Sequence, residues 1–155
     1  MYRGGAEQKI RKYLIDNNFV DAVIQLPDNL FYGTSIATCI MVLKKNKPEN
    51  STLFVDASKE FIKVTNSNKL TDNNIDKILE WVKERKDVDH LVRLVPNSEV
   101  AEQNYNLSVS TYVEPEDTRP KVDIKKLNAE IKEIVAHEQD LREKINKIIA
   151  EIENE

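Results

Sequence analysis

Residues 19–45, FVDAVIQLPDNLFYGTSIATCIMVLKK, decide the fold of this 155-residue chain. Two runs inside that stretch, residues 19–26 and 37–43, are nearly unbroken apolar sequence rich in β-branched residues. At this length they predict strands buried on both faces, which helices must cover. Residues 27–36 between them are more numerous and more aromatic than a strand connection needs, since hairpin loops run to about 2 to 5 residues. Loops of this kind commonly carry function. No crossover helix fits between the two runs, so the second strand is expected antiparallel to the first. A lone hairpin is marginal in water, so further strands are expected beside it.

Upstream, Gly4-Gly5 breaks structure, and residues 6–17 set Ile10, Tyr13, Leu14 and Asn17 at helical spacing, predicting a short amphipathic helix. Downstream, KKNKPENS at 44–51 is a polar turn, and TLFVDA at 52–57 predicts a third short strand closing at Asp56. Residues 58–68 show no clear period. Thr71 suits the N-cap of a helix over 72–86 whose Ile75, Ile78, Leu79 and Val82 form one stripe. Residues 90–95 predict another strand, Pro96-Asn97-Ser98 a short helix reaching Gln103, and YNLSVSTYV at 105–113 an extended segment. EPEDTRP at 114–120 reads as a linker.

From Val122 onward the period changes. Ile124, Leu127, Ile131, Ile134, Glu138, Leu141, Ile145, Ile148 and Ile152 alternate at spacings of three and four, a heptad seam that only Glu138 interrupts. Such a stripe left in water is rarely tolerated, so the long helix is expected to pack against another helix. The alternative is that it folds back on its own domain.

Composition narrows the chemistry. Lys and Arg total 23 against 27 Asp and Glu, a formal net charge of −4, which argues against a free-standing electrostatic nucleic-acid binder. The single cysteine, Cys39, cannot form an intramolecular disulfide. No run approaches the ~18 apolar residues of a membrane helix, and the amino terminus lacks a signal-peptide core, so a cytoplasmic location without membrane contact is expected. The only glycines are Gly4, Gly5 and Gly33, which leaves no glycine-rich phosphate or nucleoside turn. With one cysteine and two distant histidines, His90 and His137, no metal site is expected. Asp56 is the best isolated acid, though strand-end aspartates are more often turn residues than catalysts. From the residues alone the reading is an α/β piece with an assembly helix and no reaction.

Longer pieces, RGGAEQKIRKYLIDNNFVDAVIQLPDNLFYGTSIATCIMVLKKNK, then LFVDASKEF, NKLTDNNIDKI and YNLSVSTYV, carry a resemblance. In this order, with a helical tail after them, they resemble the carboxy-terminal part of the modification subunit of type I restriction-modification systems. The resemblance implies an α/β fold: the terminal portion of a Rossmann-like S-adenosylmethionine-dependent methyltransferase sheet, followed by a long carboxy-terminal helix. It divides the chain into the end of that sheet at 1–60, a mixed α/β extension at 61–113, the linker at 114–120 and the assembly helix at 121–155.

The activity implied is methyl transfer from S-adenosylmethionine to the exocyclic N6 amine of adenine in DNA. In that family a glycine-rich strand-turn-helix holds the donor and an Asn-Pro-Pro-aromatic tetrapeptide holds the target amine. None of Pro27, Pro48, Pro96, Pro115 or Pro120 adjoins another proline, so the tetrapeptide is absent, the three glycines leave no donor loop, and the chain alone is expected to be inactive and to bind no donor. In related adenine methyltransferases the loop between the last strands stacks an aromatic ring on the flipped base. Phe31 and Tyr32 are the matching candidates, with Gly33, or Asn29, allowing the turn. One alternative makes Phe31 a core plug and leaves only Tyr32 outward. Lys44, Lys45 and Lys47 are weaker candidates for phosphate contact. The implied partners are a specificity subunit, a second modification subunit, a restriction subunit and, in the assembled complex, DNA. The seam from Ile124 to Ile152 is the expected assembly surface, with Glu138 setting register or partner choice. A non-catalytic assembly module acting only through this tail is the competing reading.

Overall fold

The computed structural model describes residues 1–65, 67–116 and 124–153. It divides into two units, 1–116 and 117–155. Part of the proposed linker, 117–120, and the start of the expected tail helix, 121–123, lie outside the described residues.

In the first unit the chain runs α1 (Ala6–Asp16), β1 (Val20–Gln25), β2 (Cys39–Leu43), β3 (Ser51–Asp56), β4 (Ile62–Val64), β5 (Ser67–Lys69), α2 (Asp72–Glu84), β6 (Val92–Pro96) and α3 (Asn97–Glu102), then a 3-10 turn at Val109–Thr111. Four strands form one sheet in the order β2-β1-β3-β6, and β4 and β5 form a separate hairpin. As the absence of a crossover helix requires, β2 is antiparallel to β1. β3 lies parallel on the other side of β1, and β6 runs antiparallel beyond β3.

The sheet separates two apolar layers. Ile15 of α1, Val20 and Val23 of β1, Phe54 of β3, Val95, Val100, Leu107, Val109, Tyr112 and Val113 fill one side. Ala22, Ile24, Leu26, Leu53, Val55, Ala57, Ile78 of α2 and Val92 fill the other. Side chains alternate along a strand, so Val20 and Val23 share a face only because the ladder shifts between Val20 and Ala22. At that irregularity Asp21 is buried and accepts a 3.0 Å hydrogen bond from Nη1 of Arg85. β1 is covered on both faces, as its unbroken apolar sequence predicts, and so is β3.

Four local expectations need correction. β2 is not buried on both faces: it is an edge strand with Cys39, Ile40 and Leu43 exposed. Its apolar run resembles that of β1, but only β1 has a strand on each side. On α1 the expected stripe is turned outward at Ile10 and Tyr13, and the helix buries Arg11 and Ile15 instead. Arg11 tolerates this because its guanidinium donates to the carbonyls of Tyr105 at 2.8 Å and Arg3 at 2.6 Å. Residues 58–68, without a readable period, hold β4 and the start of β5. Residues 105–113 are a turn and a 3-10 helix, not an extended segment. Asn106 Oδ1 accepts the amide of Ser108 at 3.0 Å, which turns the chain and lays Leu107, Val109, Tyr112 and Val113 on the core.

The helix over 72–84 begins as its sequence predicts. Asn74 donates its amide to the Thr71 hydroxyl and accepts the Thr71 amide in return, a reciprocal cap. Of its stripe only Ile78 is fully buried; Ile75 and Leu79 are exposed. The second unit is described by the single helix α4 (Ile124–Glu153). Every apolar residue of its seam is between 45% and 69% exposed. Glu138, the residue that breaks the seam, pairs with Arg142 one turn on at 2.7 Å.

Candidate functional site

The loop of residues 27–36 leaves the core at Leu26 and Pro27, both buried, and its ends are closed by the Leu26 amide donating to the Thr38 carbonyl at 2.9 Å. Leu30 packs on the layer that holds Ile24 and Ile78. Beyond Leu30 the chain turns outward. Asn29 and Gly33 both adopt positive φ, 48° and 78°, and Gly33 has open space around it, so backbone conformation alone asks for glycine there. The loop is tightened by the Thr34 amide on the Phe31 carbonyl at 3.4 Å and the Ile36 amide on Thr34 Oγ1 at 3.2 Å.

This turn presents both aromatic rings. Phe31 is 52% exposed and Tyr32 is fully exposed, so Phe31 is not a core plug. With Asn29, Gly33, Thr34, Ser35 and Ser67 they line an open hollow of about 440 Å³. Ser67 comes from β5, a strand that the sequence reading did not find. Residues 62–64 alternate in polarity and precede the dipeptide Thr65-Asn66, the one signal in the sequence for a tight hairpin.

The hairpin also fixes the root of the loop. Asn68, buried on β5, donates its side-chain amide to both the carbonyl oxygen and Oδ1 of Asp28, each at 2.9 Å. Its backbone amide donates to the Asn29 carbonyl, also at 2.9 Å.

The three lysines after β2 separate. Lys44 and Lys45 are exposed. Lys47 turns inward, where its ammonium donates to the carbonyls of Val20 at 2.5 Å and Ser51 at 2.6 Å. Burial pushes its pKa below the usual lysine range. Asp56 behaves as a turn residue, with Oδ1 accepting the Ser58 amide at 2.9 Å. His90 is exposed with Nδ1 3.0 Å from the Glu114 carbonyl, and His137 is exposed on α4. Among the described residues no group of three or more His, Cys, Asp or Glu side chains could hold a metal ion. Among the same residues no helix is long and apolar enough to cross a membrane.

The first unit is thus an α/β sheet that holds two aromatic rings out on the loop between a buried strand and its antiparallel neighbour. Residues 1–121 match the model of the N-6 DNA methylase family, and the chain belongs to that family. Within it, the chain matches a part of type I restriction enzyme methylase subunits. It is 48% identical over 153 residues to the type I restriction enzyme MpnII methylase subunit of Mycoplasma pneumoniae, covering 98% of this chain and 28% of that protein. It is 40% identical to the MjaVIII methylase subunit of Methanocaldococcus jannaschii, covering 86% of this chain and 24% of that one. The chain thus spans about a quarter of the length of these relatives.

Solved structures agree. The type I restriction-modification system methyltransferase subunit of Streptococcus thermophilus, 44% identical, superposes with a TM-score of 0.72 over 74% of this chain and 24% of its own. A chain of a type I R-M system solved to explain complex assembly and conformational transition, 20% identical, superposes with a TM-score of 0.57 over 94% of this chain and 34% of its own, a likeness of fold.

Proposed function

We propose that this chain supplies the base-contacting end and an assembly helix of a type I DNA adenine-N6 methyltransferase subunit. The observation that carries this reading is the pair of exposed rings, Phe31 and Tyr32, on a loop whose root is tied down at Asp28 and Asn29. An adenine taken out of the duplex loses its stacking partners, and an aromatic ring restores about 1 to 3 kcal/mol of that loss. In the intact subunit these rings hold the base while chemistry proceeds on residues outside this chain. Exposed Lys44 and Lys45 are the phosphate contacts in this reading; Lys47 is committed to the carbonyls beneath it.

The intact subunit uses S-adenosylmethionine as methyl donor. The residues present here do not fit that donor. The three glycines are Gly4 and Gly5, at the start of α1, and Gly33, in an exposed loop, too few for a glycine-rich donor turn. The chain alone is inactive in this reading.

The four-stranded sheet is then the end of a larger Rossmann-like sheet. Its two edges support this because they differ. The β6 edge is blunted: Asp87 Oδ1 accepts the Leu94 amide at 2.7 Å and Val88 bridges to Val92. β2 has no neighbour beyond it among the described residues, and it exposes Ile40 and Leu43. The remainder of the subunit continues the sheet at β2 and covers those side chains. The α4 seam packs on a specificity subunit, within a complex that also holds a second modification subunit and a restriction subunit, in the cytoplasm. The reading of the chain as a purely assembling module draws on that same exposed seam.

Replacing Phe31 and Tyr32 together by alanine in the intact subunit, assembled with its specificity subunit, separates the two readings. We expect methyl incorporation into DNA to fall by about 5- to 150-fold, the range that 1 to 3 kcal/mol of stacking spans. Donor binding and assembly stay at wild-type levels. Unchanged methylation would falsify the base-contact reading and leave the tail as the functional surface.

A further inference from the structure

Resting on the base-contact reading, we propose that Asn68 is a positioning residue for the Phe31–Tyr32 loop, and that the β4–β5 hairpin is the brace through which it acts. Two short strands of three residues each have little reason to persist alone, since an isolated hairpin is marginal in water. This one presents Ile62, Val64, Lys63 and Lys69 to solvent and buries only Asn68. An apolar residue is the usual choice for a strand's buried position. Here it is an amide, nine-tenths buried, and its donors are fully used on the loop: two bonds to Asp28 and a backbone bond to Asn29.

The brace is anchored at its other end. Glu60, just before β4, accepts from Nδ2 of Asn74 at 3.0 Å and lies 3.3 Å from Nζ of Lys77. Asn74 is the residue that completes the reciprocal cap of α2. Hydrogen bonds at Glu60, the covalent chain from Glu60 into β4, the β4–β5 ladder and the bonds of Asn68 therefore link the first turn of α2 to Asp28. The bonds meet the loop immediately before the positive-φ residue Asn29, where the chain turns out of the core toward Phe31. Fixing the backbone there sets the direction in which both rings leave the core. The same hairpin brings Ser67 to the wall of the hollow, so brace and hollow are one structure.

Asn68 touches neither ring, and its effect is read on the loop. In the 155-residue chain, Asn68→Asp keeps the side-chain shape but removes the donor and sets two carboxylates against each other. We expect amide hydrogen exchange across residues 29–34 to accelerate about tenfold or more, while exchange in β1 and β3 and the unfolding midpoint of the first unit hold. The exchanged pair Asp28→Asn with Asn68→Asp restores one donor–acceptor bond in reverse and recovers part of the protection. Loop exchange in Asn68→Asp equal to the wild type, or slowed no further by the reversed pair, overturns the proposal.

A second measurement separates this inference from the reading beneath it. In the intact, assembled enzyme with 2-aminopurine at the target position, Asn68→Asp should change the emission of the flipped base and raise the KM for DNA more than it lowers kcat. Donor binding should not move. If Phe31→Ala with Tyr32→Ala leaves methylation unaffected while Asn68→Asp still loosens the loop, the base-contact reading fails and the brace stands. If the ring variants abolish methylation while Asn68→Asp alters neither exchange nor emission, the brace fails alone.

Discussion

Residues 1–116 and helix α4 are both rich in Ile, Leu and Val, yet they use them in opposite ways. In the first unit β-branched residues on β1 and β3 bury one another and the helices that cover them, with Val20, Val23, Leu53, Phe54 and Val55 wholly removed from water. In α4 every seam residue stands at least 45% exposed. The same side chains therefore supply the cohesion of one unit and an unmet demand in the other. Two covered faces satisfy β1 and β3 within their own unit, whereas a heptad stripe is one half of an interface.

The sharpest way to break this contrast is to strike each unit separately. Phe54 lies at the centre of the sheet, stacked on Tyr112 with ring centroids 4.1 Å apart. Phe54→Ala should cost about 3 to 5 kcal/mol in urea unfolding of the first unit, through lost burial and the cavity left behind. That is a large share of the roughly 5 to 15 kcal/mol available to a domain. A loss under about 1 kcal/mol would mean that the two apolar layers are not cooperatively joined through β3.

The matching change in α4 should have no such effect. Ile134→Asp with Leu141→Asp places two charges on the seam and leaves every residue of the first unit unchanged. We expect the unfolding midpoint of residues 1–116 to hold while affinity for the specificity subunit, measured by titration calorimetry, falls about a hundredfold or more. Unchanged affinity would remove α4 from the interface. A shifted midpoint would show that the seam was serving its own chain.

The contrast also explains what the sequence disclosed. β1 and β3 were legible because burial on both faces leaves an unbroken apolar run, and Thr71 because capping is local chemistry. β2 was legible as a strand but not as an edge, because its run does not say how many neighbours it has. The outward turn of Ile10 and Tyr13 was hidden for a related reason: the face a helix buries is chosen by what covers it, and here carbonyls of Tyr105 and Arg3 receive Arg11. Of the candidate site, the loop stood out by its length and aromatic content, and the family resemblance pointed to Phe31 and Tyr32 within it. Ser67 and Asn68 could not be named, because a buried asparagine is identified by its partner, and Asp28 lies forty positions away.

Tyr112 tests that lesson in the segment where alternation misled. Its sequence, YNLSVSTYV, reads as an extended segment, but the turn at Asn106 instead folds Tyr112 onto Phe54, with its hydroxyl donating to the Asn106 carbonyl at 2.6 Å. Burial pushes the Tyr112 pKa up to about 12. Because the unfolded chain's tyrosine ionises near 10, the folded state holds the proton more tightly between those values. The resulting stability is fully present below about pH 10 and is lost as pH rises toward 12, at about 1.4 kcal/mol per pH unit. Tyr112→Phe keeps the ring against Phe54 and removes only the hydroxyl. At pH 7 it should cost about 1 kcal/mol, the worth of one hydrogen bond. Between pH 10 and 12 the variant should lose less stability than the wild type, so the two unfolding curves converge and then cross. Parallel curves across that window would mean that the hydroxyl is open to water and that the 105–113 segment does not close over the core.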